Sequence, residues 1–335
     1  MTFTRLGPER RAHDGLATAL RATACLLALV ACANDDEPQD APSHDRDAAS
    51  RDDAATEADA APSPEDGGDG SAGGPVGRIA DTWPMMGYDE RNGYFNPTEK
   101  TLGTDNAAML TEKWRFPVAG YPPGTPVVGE GNVFVMATGG TYAIDLETGM
   151  QTWARTDLTG TASVAWEPGF VYVHDSQANL YKLDSGTGQN VWGPIKSYEM
   201  SGCEGTSSPI LGGGSVIVGH SCGPLEVGFS APASPPKGGV EARNTSDGAM
   251  GWSYTTVADS GEDGAMVWSS VGIDVAAGVV YAATGNNYSM QGANSDSIHA
   301  IDLASGMQIW KQQVRNNDLW SFYGNIGGPD TDFGP

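Results

Sequence analysis

Short alternating apolar runs, each led by a glycine turn, recur along the second three-quarters of the chain. VGEGNVFVMA, WEPGFVYVHD, LGGGSVIVGH and VAAGVVYAAT each read as a tight turn feeding a strand whose successive side chains face opposite ways. A second, independent pattern follows each run: a strand, Asp or Asn, three residues, Gly, three residues, Trp. The four frames run Thr141 to Trp153, Leu180 to Trp192, Val240 to Trp252 and Ile298 to Trp310. Asp145, Asp184, Asn244 and Asp302 stand four residues before Gly149, Gly188, Gly248 and Gly306, and eight before the Trp. In each, the polar residue and Gly make a turn tolerant of positive φ, and the Trp opens the returning strand. Its ring can wedge against the next unit while the indole N–H finds a carbonyl.

The Trp residues fall 39, 60 and 58 positions apart, and Trp114 lies 39 before Trp153. Units of this size cannot bury their own apolar faces, so neighbours must stack. The pattern predicts an all-β chain, with four recognisable blades of a β-propeller and a few residues of a fifth between residues 79 and 335.

The first 75 or so residues lack this pattern. Arg5, Arg10, Arg11 and Arg21 give a basic start, and the apolar run Ala22 to Ala31 is too short to span a bilayer. Leu29, Val30, Ala31 and Cys32 form a lipobox, so residues 1–31 read as a lipoprotein signal peptide and Cys32 as its lipidation site. An ordinary secretory signal with an incidental Cys is the other reading. Residues 32–78 read as a disordered Ala, Asp, Pro and Ser tether; through Gly74 it holds thirteen acids against Arg46 and Arg51. These features predict a domain standing off a membrane in the cell envelope, at the periplasmic face or the outer membrane.

The formal net charge of −24 repels nucleic acid and anionic headgroups, which excludes nucleic acid as a partner. Cys203 and Cys222 flank the strand Ser215 to Gly219 and are disulfide candidates in an oxidising compartment, two buried thiols being the alternative. No CxxCH occurs, which leaves this sequence without a c-type haem attachment motif. His174, His220 and His299 lack zinc-like spacing.

The segment DTWPMMGYDERNGYFNPTEKTLG with LTEKWRF, the four Trp frames, GAMVWSSVGIDVAAGVVYAATGNNYS, SDSIHAIDLASGMQIW, NNDLW and GPDTDFG together resemble the quinoprotein alcohol dehydrogenases, most of all the polyvinyl alcohol dehydrogenase branch. The resemblance covers about residues 80 to 335. It implies an eight-bladed propeller, of which this sequence spells four to five blades, binding pyrroloquinoline quinone (PQQ) and Ca²⁺. It implies Trp268 as the floor beneath the quinone and Asn286, in a TGN sequence eighteen residues later, as a calcium ligand. Asp318 in NNDLW takes the position of the catalytic base. Glu226 is the nearest counterpart of a second calcium ligand, although the spacing there is about two residues longer than the family's. Thr206, Ser207 and Ser208 precede the strand that Glu226 follows and are placed to hydrogen-bond the quinone carboxylates, a plain polar loop being the other reading. The expected reaction is oxidation of an alcohol, polyvinyl alcohol or another secondary alcohol, with electrons passed to a separate acceptor such as a cytochrome c. A partner chain can complete the ring. The competing reading is a non-catalytic, lipid-anchored scaffold like the outer-membrane assembly lipoproteins, which share the Trp repeats without a cofactor.

Overall fold

The computed structural model describes residues 82–121, 124–199, 203–222, 236–257, 261–288 and 292–316. Cys32, Glu226 and Asp318 lie outside them. Among the described residues the regular structure is strand, apart from one 3₁₀ turn at Ala107–Met109.

Four antiparallel sheets of four strands follow one another in sequence. The first comprises β1 (Val127–Gly129), β2 (Asn132–Ala137), β3 (Gly140–Asp145) and β4 (Gln151–Arg155). The second comprises β5 (Ala165–Glu167), β6 (Phe170–His174), β7 (Asn179–Asp184) and β8 (Asn190–Lys196). The third comprises β9 (Ile210–Gly212), β10 (Ser215–Gly219), β11 (Gly239–Asn244) and β12 (Met250–Thr255). The fourth comprises β13 (Gly272–Asp274), β14 (Val279–Ala283), β15 (Ser297–Asp302) and β16 (Gln308–Gln313). Each is an up-and-down meander, the blade of a propeller. The short first strands lie toward one another, β1 beside β5 and β9 beside β13.

The Trp frames join consecutive blades by one repeated contact. The indole N–H of Trp114 donates to Leu146 O at 2.9 Å, that of Trp153 to Ser185 O at 2.8 Å, that of Trp192 to Thr245 O at 3.2 Å and that of Trp252 to Leu303 O at 2.8 Å. Every acceptor is the residue after the Asp or Asn of the following frame. The frame's Gly closes the turn, its N–H donating to that Asp or Asn carbonyl at 2.8–2.9 Å with φ between 69° and 73°. The ring then lies flat on the missing side chain. A Cβ at Gly149, Gly188 or Gly306 would come within 2.7–2.8 Å of the indole of Trp114, Trp153 or Trp252 respectively. Trp310, at the equivalent place on β16, is 44 % exposed, against 8 % for Trp153 and 7 % for Trp252. No following frame receives it among the described residues.

Stacking changes the burial that alternation predicts. β6 and β10 each bury four consecutive residues, because a neighbouring blade covers both faces. One core joins Phe134, Met136 and Trp153 of the first sheet to Trp166, Val171 and Leu183 of the second. Another joins Leu180, Val216, Val240, Val280 and Ile301 across the second, third and fourth.

Candidate functional site

The segments that precede the first strands of all four sheets meet around a cavity of about 310 Å³. Its wall includes Trp268, Thr206, Ser208, Ser163, Ser270 and Met86, and every described residue lining it is uncharged.

Trp268 sits on an irregular stretch between β12 and β13 that is held from both sides. Val267 N donates to His220 O at 3.0 Å, and Ala265 N to Asn286 O at 2.9 Å. Gly285 N donates to Met266 O at 3.0 Å, and Thr206 Oγ1 donates to the carbonyl of Trp268 at 3.1 Å. The half-buried indole rests against a cluster of Met266, Tyr288, Cys203 and Cys222. The two cysteines are joined as a disulfide, which ties the stretch before β9 to the end of β10. Main-chain pairing of Glu204 with Ser221 runs alongside it.

Ser208 links three blades. Its Oγ accepts from Ser163 N at 2.9 Å, and its N–H donates to Ser270 Oγ at 3.1 Å. Ser207 does not share the cavity with Thr206, contrary to the expectation for a quinone-binding hydroxyl. It is fully buried, and its Oγ accepts from Gly219 N at 2.9 Å. Its carbonyl meets His174 Nδ1 at 3.0 Å, and His174 Nε2 meets Ser197 Oγ at 2.8 Å. Burial pushes the His174 pKa down, so this imidazole is a neutral structural link. Of the three hydroxyls of the TSS triplet, Thr206 and Ser208 line the cavity, and nothing in the triplet sets Ser207 apart before the turn is built.

Asn286 is buried and lies on the stretch paired to Ala265 and Met266, two or three positions before Trp268. It is not part of the cavity wall. Its Nδ2 donates to Asn287 O at 3.3 Å. Beside it, Glu262 accepts from Asn287 Nδ2 at 3.1 Å, Ala293 N at 3.1 Å and Asn294 N at 3.2 Å. Burial works against its charge, but these hydrogen bonds prevail and hold the carboxyl below the usual range. Asp263 Oδ1 accepts from Tyr288 N at 3.1 Å. These two acids hold the residues that follow TGN, a role that no motif in the sequence announces. Among the described residues no group of three or more His, Cys, Asp or Glu side chains gathers as metal ligands.

The chain is similar to several known proteins. Over 270 residues the chain is 26 % identical to a polyvinylalcohol dehydrogenase from a Pseudomonas species, covering 71 % of this chain and 41 % of that one. The chain resembles the quinoprotein alcohol dehydrogenases. Quinate/shikimate dehydrogenase (quinone) of Acinetobacter baylyi is 22 % identical over 316 residues, covering 72 % of this chain and 38 % of the relative. Among solved structures, quinohemoprotein alcohol dehydrogenase ADHIIG of Pseudomonas putida superimposes with a TM-score of 0.61 at 20 % identity, over 72 % of this chain and 41 % of that one. The likeness in structure establishes the quinoprotein propeller fold. Residues 111–263 match a family model described as outer membrane protein assembly factor BamB. The chain spans about two fifths of the length of the relatives it matches.

Proposed function

We propose that this chain carries part of the PQQ site of an exported alcohol dehydrogenase. The observation that supports it is the indole of Trp268 in a hydroxyl-lined cavity, its carbonyl fixed by Thr206. The residues present suit the group. A flat indole is a stacking surface for a planar tricycle, and the Ser208 hydroxyl, which accepts from Ser163 N, keeps its proton to donate to a carboxylate oxygen. A volume of about 310 Å³ is at the small end of the range for cofactor pockets.

Trp268 would hold the ring and the Ser208 hydroxyl an acid group, while Asn286 and Glu226 would hold Ca²⁺ through hard oxygen atoms. When bound, the quinone supplies the acceptor for a hydride from an alcohol. The task of Asp318 is to take the proton of the substrate hydroxyl, which an ionised carboxylate can do and an amide cannot. The substrate is a secondary alcohol, polyvinyl alcohol being the one that the sequence relatives suggest. Electrons then pass to a separate carrier such as a cytochrome c. Cys32 carries lipid, and residues 32–78 tether the propeller to the envelope membrane. A partner chain can supply further blades against Trp310.

A lipid-anchored scaffold is the second reading, favoured by the family match over residues 111–263. Equilibrium titration of the full chain with PQQ in Ca²⁺ separates the two. The enzyme reading expects saturable binding weakened at least about tenfold by Trp268→Ala, the loss of one stacked aromatic. It also expects dye reduction by secondary alcohols that Asp318→Asn abolishes. A chain that binds no PQQ would leave the scaffold.

A further inference from the structure

The stretch that leads into the first sheet is part of the cavity. Residues 82–93 run across the inner strands of three blades. Trp83 and Val128 of β1 exchange backbone hydrogen bonds at 2.9 and 2.8 Å, and Trp166 N of β5 donates to Pro84 O at 2.7 Å. Further on, Ile273 N of β13 donates to Glu90 O at 2.7 Å, and Asn92 Nδ2 donates to Val271 O at 2.9 Å.

Between these anchors the chain makes a tight turn. Tyr88 N donates to Met85 O at 3.0 Å, and Tyr94 N returns to Gly87 O at 2.8 Å. A Cβ on Gly87 would collide with the backbone of Asn92, so only glycine fits beside the turn's tip. Trp83 Nε1 donates to Met86 O at 3.2 Å, and the Trp83 ring meets Tyr88 edge-on at 5.2 Å. The turn therefore sends its two methionines to different places. Met85, 1 % exposed, enters the core shared by the second, third and fourth sheets. Met86 enters the wall of the cavity, where Ser270 Oγ donates to its sulfur at 3.3 Å.

We infer that Met86 is a ligand-contacting residue of the quinone cavity, whose bulk sets the space left beside Trp268 and whose polarisable thioether lies against the flat ring. This rests on the PQQ reading above. A thioether attracts an aromatic face and adapts its shape, which suits a wall that must close on a rigid planar ligand. Its backbone is fixed at several points by the hydrogen bonds above, so a larger side chain cannot be accommodated by moving the turn.

The test is equilibrium binding of PQQ in Ca²⁺ to the full chain and to Met86→Leu and Met86→Trp, with thermal midpoints measured in parallel. We expect Leu, of similar volume, to stay within about threefold of wild type, and Trp to weaken binding by about 30-fold. The midpoints of both ligand-free variants should stay near that of wild type, because the side chain ends at a cavity. Wild type and Met86→Trp binding PQQ equally well would overturn the inference and leave the PQQ reading standing. A Met86→Trp midpoint lowered in step with its affinity would overturn it too, by making Met86 a packing residue. Failure of the wild-type chain itself to bind would overturn the PQQ reading, and the role of Met86 with it.

Discussion

Replacing Gly188 by Ala isolates what docking of one blade on the next contributes. At φ +69° an L side chain costs about 1–2 kcal/mol. The new methyl would also stand 2.8 Å from Cδ2 and 2.9 Å from Cε3 of Trp153, an indole only 8 % exposed and anchored by its bond to Ser185 O. Neither the backbone nor the ring can retreat without disturbing that bond, so overpacking adds about 1–3 kcal/mol. Gly278 is the matched control. It has the same φ of +69°, and a Cβ there would meet nothing within 4 Å, so Gly278→Ala isolates the backbone cost. The expected losses are about 1–2 kcal/mol for Gly278→Ala and about 2–5 kcal/mol for Gly188→Ala. Urea unfolding followed by Trp fluorescence measures both, and each kcal/mol should lower the thermal midpoint by about 2–4 °C. Trimming the ring with Trp153→Leu should make the Gly188→Ala penalty smaller, a positive coupling in a double-mutant cycle. Equal losses for the two glycines would refute the docking argument, because strain alone would then account for Gly188.

Two further outcomes follow from buried groups. Burial, with the Lys311 charge in support, pushes the His299 pKa down to about 4, while Tyr254 Oη lies 2.8 Å from its Nδ1. The unfolded chain binds a proton below about pH 6.5 that the folded chain refuses until about pH 4, so stability should be constant above this window and fall as pH drops through it. The full loss from this group is roughly 3 kcal/mol. Comparing unfolding of wild type and His299→Gln at pH 7.5 and 4.5, two conditions chosen to bracket the window, checks it; parallel pH profiles would reject the assignment. Replacing Cys203 and Cys222 together by Ser opens a loop of sequence separation 19 and should cost about 3 kcal/mol. An unchanged urea midpoint would show that the surrounding strands hold this loop without the covalent link.

The blades were legible in the sequence because their chemistry is local. Asp145, Gly149 and Trp153 fix a turn and a docking ring within one short frame, so four repetitions announce both the strands and their stacking. Trp268 stood out through its spacing to Asn286, a pattern carried by resemblance rather than by periodicity. Three matters were settled only when the blades came together. Strands such as β6 and β10 bury both faces because another blade covers each side, where alternation alone predicts one buried face. Ser208 lines the cavity and Ser207 does not, because the Gly219 N–H captures the Ser207 hydroxyl, a contact between residues with no local pattern linking them. Met86 reaches the wall beside Trp268 across most of the length of the fold, through hydrogen bonds to inner strands of three blades. Local sequence determines strand, turn and docking ring because their partners lie within a few residues. The cavity is decided by tertiary structure because its walls come from segments whose only relation is that the blades converge there.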